Sequence, residues 1–417
     1  MLFYIDPGTG SMLFTILIGV IGAGIYLLRN VFIKIKFMFS SGGKAKEESS
    51  SSIAIFTDSK RYYSIFKPLC DELEARGEKV TYLTAEEDDP LLNEKYENVS
   101  AEFIGTGNKA FARMNLLKAD IVLSSTPGLG VYQWKRSRDV KWYIHIPHMA
   151  NDITVYKMFA LDYFDAVLIS GDYEEEQLRS LETLRGLKAK EIRLVGLPQF
   201  DALKQRLESE GAVKSDVTTV MIAPSWGSSS IFNRYGGKII DALLKTEYKI
   251  IIRPHPQSFT SEKELIDSLM SQYPQSDRLE WDRNTDNFMS LNKADILISD
   301  FSGVIFEFAL VFGKPIIYAD VSFDKSPYDA WWLDDELWTF KTLPKLGMQL
   351  TPENLDEIET VISNCLSSKE FAEGRIQAIR ETWGNTGHSI PAVADYLIEV
   401  KNRFEKGNSG DNSAEPA

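Results

Sequence analysis

Short, unbroken apolar runs, each ending in a polar turn, constrain this chain more than any other feature. Ile53-Ala54-Ile55-Phe56, Val80 to Leu83, Ile121 to Leu123, Trp142 to Ile146, Val167 to Ile169 and Ile192 to Val195 form a first series. Thr218 to Ile222, Tyr248 to Ile252, Ile296 to Ile298 and Pro315 to Tyr318 form a second. A strand with one wet face alternates apolar and polar residues, whereas a strand buried on both faces reads as a continuous apolar run. Helical spacing lies between the runs, as at Tyr62, Ile65, Phe66, Leu69 and Leu73. Such alternation builds parallel sheets covered by helices on both faces. The expected fold class is therefore α/β, with two doubly wound Rossmann-like domains, and 417 residues suffice for both. An internal echo agrees: Lys118-Ala119-Asp120-Ile121-Val122-Leu123-Ser124 resembles Lys293-Ala294-Asp295-Ile296-Leu297-Ile298-Ser299.

Met12 to Leu28 carry no charge and are almost wholly apolar or small. The run is near the lower length for a helix spanning a bilayer. Arg29, Lys34, Lys36, Lys44 and Lys46 follow it, and only Asp6 precedes it. Positive charge stays on the cytoplasmic side. A cleaved signal peptide fits less well, because a basic leading region is missing. The expected organisation is an N-terminal transmembrane helix with an interfacial segment over 1–40 and a flexible linker over 41–52. An N-terminal domain over 53–210, a C-terminal domain over 211–372, C-terminal helices over 373–405 and a disordered tail over 406–417 follow. Gln205 to Asp216 reads as the hinge. The chain is expected in the inner or plasma membrane, single-pass, with its soluble part cytoplasmic.

Lys and Arg number 46 against 60 Asp and Glu, a net charge of −14. Nucleic acid is thus not an expected partner of the general surface, and an anionic ligand needs a local pocket. The two cysteines, Cys70 and Cys365, exclude a disulfide scaffold and a zinc site built on Cys pairs. No metal and no cofactor are expected.

Three strand ends carry candidate chemistry, where doubly wound sheets bind ligands. Arg253-Pro254-His255-Pro256 follows Ile250-Ile251-Ile252. Its prolines stiffen the loop. Arg253 is suited to bind phosphate through a forked pair of hydrogen bonds, and His255 to donate to a leaving group. Ser299-Asp300-Phe301-Ser302-Gly303 precedes the apolar run Val304 to Leu310, as a phosphate-binding helix N-terminus would. A plain helix cap by Ser or Asp is the simpler reading of the same residues. Trp142 to His148 is the matching end in the first half, where His145 or His148 is placed to deprotonate a hydroxyl. Asp334-Asp335 reads as a turn or an exposed helix end.

Ile252 to Pro256, Ala294 to Glu307 and Gly313-Lys314-Pro315-Ile316 resemble the CDP-glycerol glycerophosphotransferases, the teichoic-acid primases and polymerases. Ala223-Pro224-Ser225-Trp226 is similar to the family's Ala-Pro-Thr-Trp segment, and Gly196 to Leu203 to its Gly-x-Pro-Arg-x-Asp-x-Leu segment, with Gln199 in place of the Arg. The family's His-Gly-Thr motif reads His145-Ile146-Pro147-His148 here. The resemblance implies a GT-B-like fold and transfer of glycerol phosphate from CDP-glycerol to a hydroxyl of a lipid-linked or cell-surface glycan, releasing CMP. It implies His145 as base and His255 as the group at the leaving CMP. Arg253, Ser299, Asp300, Ser302, Gly303, Ser225 and His148 are the implied donor or substrate contacts. The partners implied are CDP-glycerol or a similar activated donor, a lipid-linked glycan acceptor and the membrane. Two other readings use the same frame: a GT-B glycosyltransferase taking a nucleotide sugar, and a non-catalytic membrane-tethered binding protein.

Overall fold

The computed structural model describes residues 51–410. The anchor expected over 1–40 lies outside them, as do most of the linker and residues 411–417. Among the described residues no helix is long and apolar enough to cross a membrane.

The first series of runs forms a seven-stranded sheet in the order β3-β2-β1-β4-β5-β6-β7. Its strands are β1 (Ser51–Thr57), β2 (Val80–Thr84), β3 (Val99–Phe103), β4 (Ala119–Ser124), β5 (Val140–His145), β6 (Ala166–Ile169) and β7 (Glu191–Leu194). The second series forms a six-stranded sheet in the order β10-β9-β8-β11-β12-β13. Here the strands are β8 (Thr219–Ile222), β9 (Lys249–Ile252), β10 (Leu279–Trp281), β11 (Ile296–Ser299), β12 (Ile316–Ala319) and β13 (Gly347–Leu350). Every pairing is parallel. In each sheet the strand order reverses direction at one place, between β1 and β4 and between β8 and β11. The sequence echo falls on β4 and β11, the equivalent partners at the two reversals.

Two-sided burial explains the unbroken runs. Ile53 and Ile55 pack into one core layer with the helix Tyr63–Ala75, while Ala54 and Phe56 face the opposite layer. In the second sheet Ile250 and Ile252 face one layer and Ile251 the other. The last helix, Ser389–Gly410, returns to the first sheet, burying Val393, Tyr396, Leu397 and Val400 there. It runs into the segment expected to be a disordered tail. The stretch read as a hinge from Gln205 is helical to Glu210.

Carboxylates tie the two halves together. Asp152 accepts the N–H groups of Trp338 and Thr339 at 2.7 and 2.9 Å. Asp329 pairs with Arg185 at 2.5 Å, both side chains nearly enclosed. Asp201 accepts the Trp383 indole N–H (2.8 Å) and the backbone N–H groups of Gly387 (2.7 Å) and Ser389 (2.9 Å). Gly196 makes this return loop fit. It has φ +90°, and a Cβ there would lie 1.8 Å from the Gly384 carbonyl oxygen.

Asp201→Ala leaves three donors without their acceptor. It is expected to destabilise the protein by roughly 2–4 kcal/mol, read by urea denaturation.

Candidate active site

The loops at the carboxyl ends of both sheets converge on one region. Met149, from the loop after β5, lies 3.1 Å from where a Cβ on Gly303 would sit. Gly303 thus lets the first half's loop close onto the turn after β11. A recess of about 150 Å³ adjoins this contact, walled by Asn151 and Val155 from one half and Phe301, Phe323, Tyr328 and Phe340 from the other.

The two histidines after β5 are placed differently. His145 is fully buried, with Nε2 3.2 Å from the Tyr156 hydroxyl and Nδ1 unpartnered. Burial lowers its pKa to about 3, with the nearby His148 adding to the shift. His145 is the last residue of β5, enclosed beneath Tyr156, while the loop beyond it carries His148. His148 is the more exposed of the two, partly buried. Its ring packs against Tyr62, centroids 4.8 Å apart, and its Nδ1 is enclosed without a partner. Burial, then the charge of Arg61, lowers its pKa to about 4. At neutral pH His148 is an uncharged imidazole, able to accept a proton.

Across the cleft, His255 Nδ1 accepts the Gln257 backbone N–H at 3.1 Å. In the neutral ring the proton therefore sits on Nε2, which becomes a donor. Burial and then Arg61 lower the His255 pKa, while Glu262 opposes them. The indole of Trp226, 49% exposed, lies beside it, ring centroids 6.4 Å apart.

Three expected donor contacts have partners within the protein. Arg253 gives its guanidinium to Asp282 (2.5 Å) and to the Thr285 carbonyl (3.2 Å). It fixes the loop that carries His255. Ser299 is wholly buried and donates to the Ala223 carbonyl at 2.5 Å. Asp300, 1% exposed, accepts the N–H groups of Ser225 (2.9 Å), Ile231 (3.0 Å) and Phe301 (2.7 Å). Its carboxylate faces into the protein, where a donor hydroxyl cannot reach it. Burial raises its pKa and these donors oppose the rise.

Ser302 and Gly303 lie on the turn after β11, and Ser225 is buried after β8. Ser225 holds a hydroxyl without a partner in the wall, and Ser302 and Gly303 are partly exposed. The helix behind them is short: Val304–Phe306, widening into a π turn over Glu307–Val311. Gln199 donates to Glu307 at 2.8 Å, and Asn287 donates to the other oxygen at 2.9 Å. Burial raises the Glu307 pKa, and the Asn287 amide and then the charge of Arg253 oppose the rise. Lys314 caps the carbonyls of Asn292 (2.7 Å) and Ala294 (2.6 Å), so the Gly-Lys-Pro segment braces the turn that enters β11.

Sequence reasoning missed Tyr156, Asp282 and Arg61. Arg61 carries a readable signal, a cation just past a strand end, but no motif surrounds it. Among the described residues no group of three or more His, Cys, Asp or Glu is disposed to hold a metal ion.

Residues 144–384, more than half of the chain, match the family described as CDP-Glycerol:Poly(glycerophosphate) glycerophosphotransferase. A stretch of 158 residues is 30% identical to the minor teichoic acid biosynthesis protein GgaB of Bacillus subtilis (strain 168), covering 31% of this chain and 16% of that protein. The chain thus spans a small part of that relative's length. The structure of the wall teichoic acid polymerase TagF superposes with a TM-score of 0.55 at 16% identity, over 91% of this chain and 99% of that one. A putative UDP-N-acetylglucosamine 2-epimerase from Listeria monocytogenes gives 0.55 at 15% identity, over 86% and 97%. At these identities the two structures establish a shared fold of two parallel-sheet halves, GT-B-like, and nothing about chemistry.

The buried histidines set the acid limb of stability. Their folded pKa values lie below the free value of 6.5, at about 3 and about 4. As pH falls below 6.5 the unfolded chain binds protons that the folded chain refuses, so stability is complete above that pH and declines below it. In His145→Asn the decline between pH 6.5 and 4 is expected to be shallower by up to roughly 1.4 kcal/mol per pH unit, read by urea denaturation across pH.

Proposed function

The chain belongs to the CDP-glycerol:poly(glycerophosphate) glycerophosphotransferase family, and from that premise we propose that it moves glycerol phosphate from CDP-glycerol to a hydroxyl of a teichoic-acid-type acceptor, releasing CMP. The observation that supports this reading best is the opposition of two neutral histidines with complementary tautomeric roles. His148 offers an acceptor nitrogen at the cleft. His255, with Nδ1 already occupied by the Gln257 N–H, offers a donor.

In this reading His148 takes the proton of the acceptor hydroxyl as its oxygen attacks the phosphorus that bears glycerol. The bond from that phosphorus to the bridging oxygen breaks, and the oxygen leaves with CMP. His255 donates from Nε2 to the leaving phosphate. Phosphoryl transfer is mostly positioning and stabilisation of charge, so rigid placement of these groups is the main requirement. Ser225, Ser302 and Gly303 line the phosphate path. Trp226 offers an exposed aromatic face on which a nucleobase can stack. The apolar segment 12–28 would tether the cleft to the cytoplasmic face of the membrane, where a lipid-linked acceptor is in reach.

Calorimetry on the full-length protein in detergent tests the donor class. CDP-glycerol is expected to bind, and UDP- and CMP-sugars to compete poorly. Binding of UDP-sugars in preference to CDP-glycerol would overturn the reading in favour of a glycosyltransferase. His148→Ala and His255→Ala are each expected to lower turnover by about 100-fold or more with unchanged melting temperature. A rate near wild type in either variant would remove that residue from the mechanism.

A further inference from the structure

The loop after β1 lies outside the family match, which begins at residue 144. It carries Arg61, an exposed arginine in a chain of net charge −14. Among the described residues Arg61 has no carboxylate partner. Its Nε donates to Ser59 Oγ at 3.2 Å, which leaves the terminal nitrogens of the fork unused. The adjacent Lys60, by contrast, is paired with Asp88.

The position of Arg61 is defined by a run of ring contacts. Its guanidinium lies 5.4 Å from the centre of the Tyr62 ring, and Tyr62 packs on His148. The charge also reaches the other side of the cleft: Arg61 depresses the pKa of both His148 and His255, second to burial in each case. A guanidinium without a carboxylate partner, close enough to act on two imidazoles, raises the local positive potential. An anion between them would relieve it, and phosphate matches a guanidinium fork. Arg253, the arginine marked by the motif, is already held by Asp282.

We propose that Arg61 is the phosphate-binding cation of this cleft, contributed by the first half of the molecule beside the Tyr62–His148 ring pair. The inference rests on the transfer reading and adds to it the residue that holds the ligand's phosphate. The phosphate is either the pyrophosphate of the donor or a phosphate already present on the acceptor. Its arrival would neutralise Arg61 and let both histidines bind protons more readily, at the step where a proton moves.

The test titrates full-length wild type, Arg61→Gln, Arg61→Lys and Lys60→Gln with CDP-glycerol, inorganic pyrophosphate and glycerol 3-phosphate, after equal melting temperatures are established. Loss of CDP-glycerol and pyrophosphate affinity by about tenfold or more in Arg61→Gln, with a smaller loss in Arg61→Lys and none in Lys60→Gln, supports a donor phosphate on Arg61. Loss confined to glycerol 3-phosphate supports an acceptor phosphate there. Pyrophosphate binding that depends on Arg61 in a protein that ignores CDP-glycerol sustains the inference and overturns the donor reading. Equal binding of all three ligands by wild type and Arg61→Gln overturns the inference and leaves the donor reading intact. Absence of all binding in wild type overturns both.

Discussion

The buried carboxylate of Asp300 is the interaction on which the donor half of the cleft depends. It sits past the end of β11 and accepts backbone N–H groups from Ser225, Ile231 and Phe301. One side chain can do this because β8 and β11 are neighbours where the strand order reverses. The loops leaving them therefore start side by side and diverge. A charge out of water is tolerable only when hydrogen bonds replace its hydration, and here backbone donors do so. The same device recurs at Asp152 and Asp201, which hold the other half's loops and the returning C-terminal segment. In a fold whose ligand-facing parts are all loops, buried carboxylates give those loops fixed positions.

Charge is distributed to suit a phosphate ligand. The surface as a whole is acidic, while the cleft holds uncharged histidines and an arginine without a carboxylate. Burial holds the histidines neutral, and the charge of Arg61 reinforces this at His148 and His255. A neutral imidazole can accept a proton at one ring nitrogen and donate a hydrogen bond from the other. Which nitrogen does which is decided by the hydrogen bond that one of them already makes. For His255 that bond comes from Gln257, two residues on, within the loop that the flanking prolines stiffen.

The fold was legible wherever strands are buried on both faces. All ten runs of the two series became strands, since a covered parallel sheet accommodates Ile250-Ile251-Ile252 between helices. Three strands were missed, β3, β10 and β13, and all lie at or next to a sheet edge. Val99–Phe103 has alternating exposure and Leu279–Trp281 is three residues long, so neither gives a two-sided pattern. The site was legible as places more than as roles. The motifs lie where strands end, but a sequence does not tell whether a side chain turns to the cleft or to the wall. Arg253 is occupied because Asp282 arrives from β10, and His145 is enclosed because Tyr156 covers it. Those partners are set by packing between distant segments. Arg61 was overlooked for the converse reason: its importance comes from what surrounds it in space.

The central claim is transfer of glycerol phosphate, and phosphorus NMR of the reaction tests it most directly. Full-length protein in detergent would be incubated with CDP-glycerol and a short glycerol phosphate acceptor. The account expects the pyrophosphate resonances of CDP-glycerol to be replaced, in equal amounts, by those of CMP and of a new phosphodiester. A folded protein that binds CDP-glycerol yet leaves its pyrophosphate intact in the presence of that acceptor, or that releases CMP without forming a phosphodiester, would contradict it.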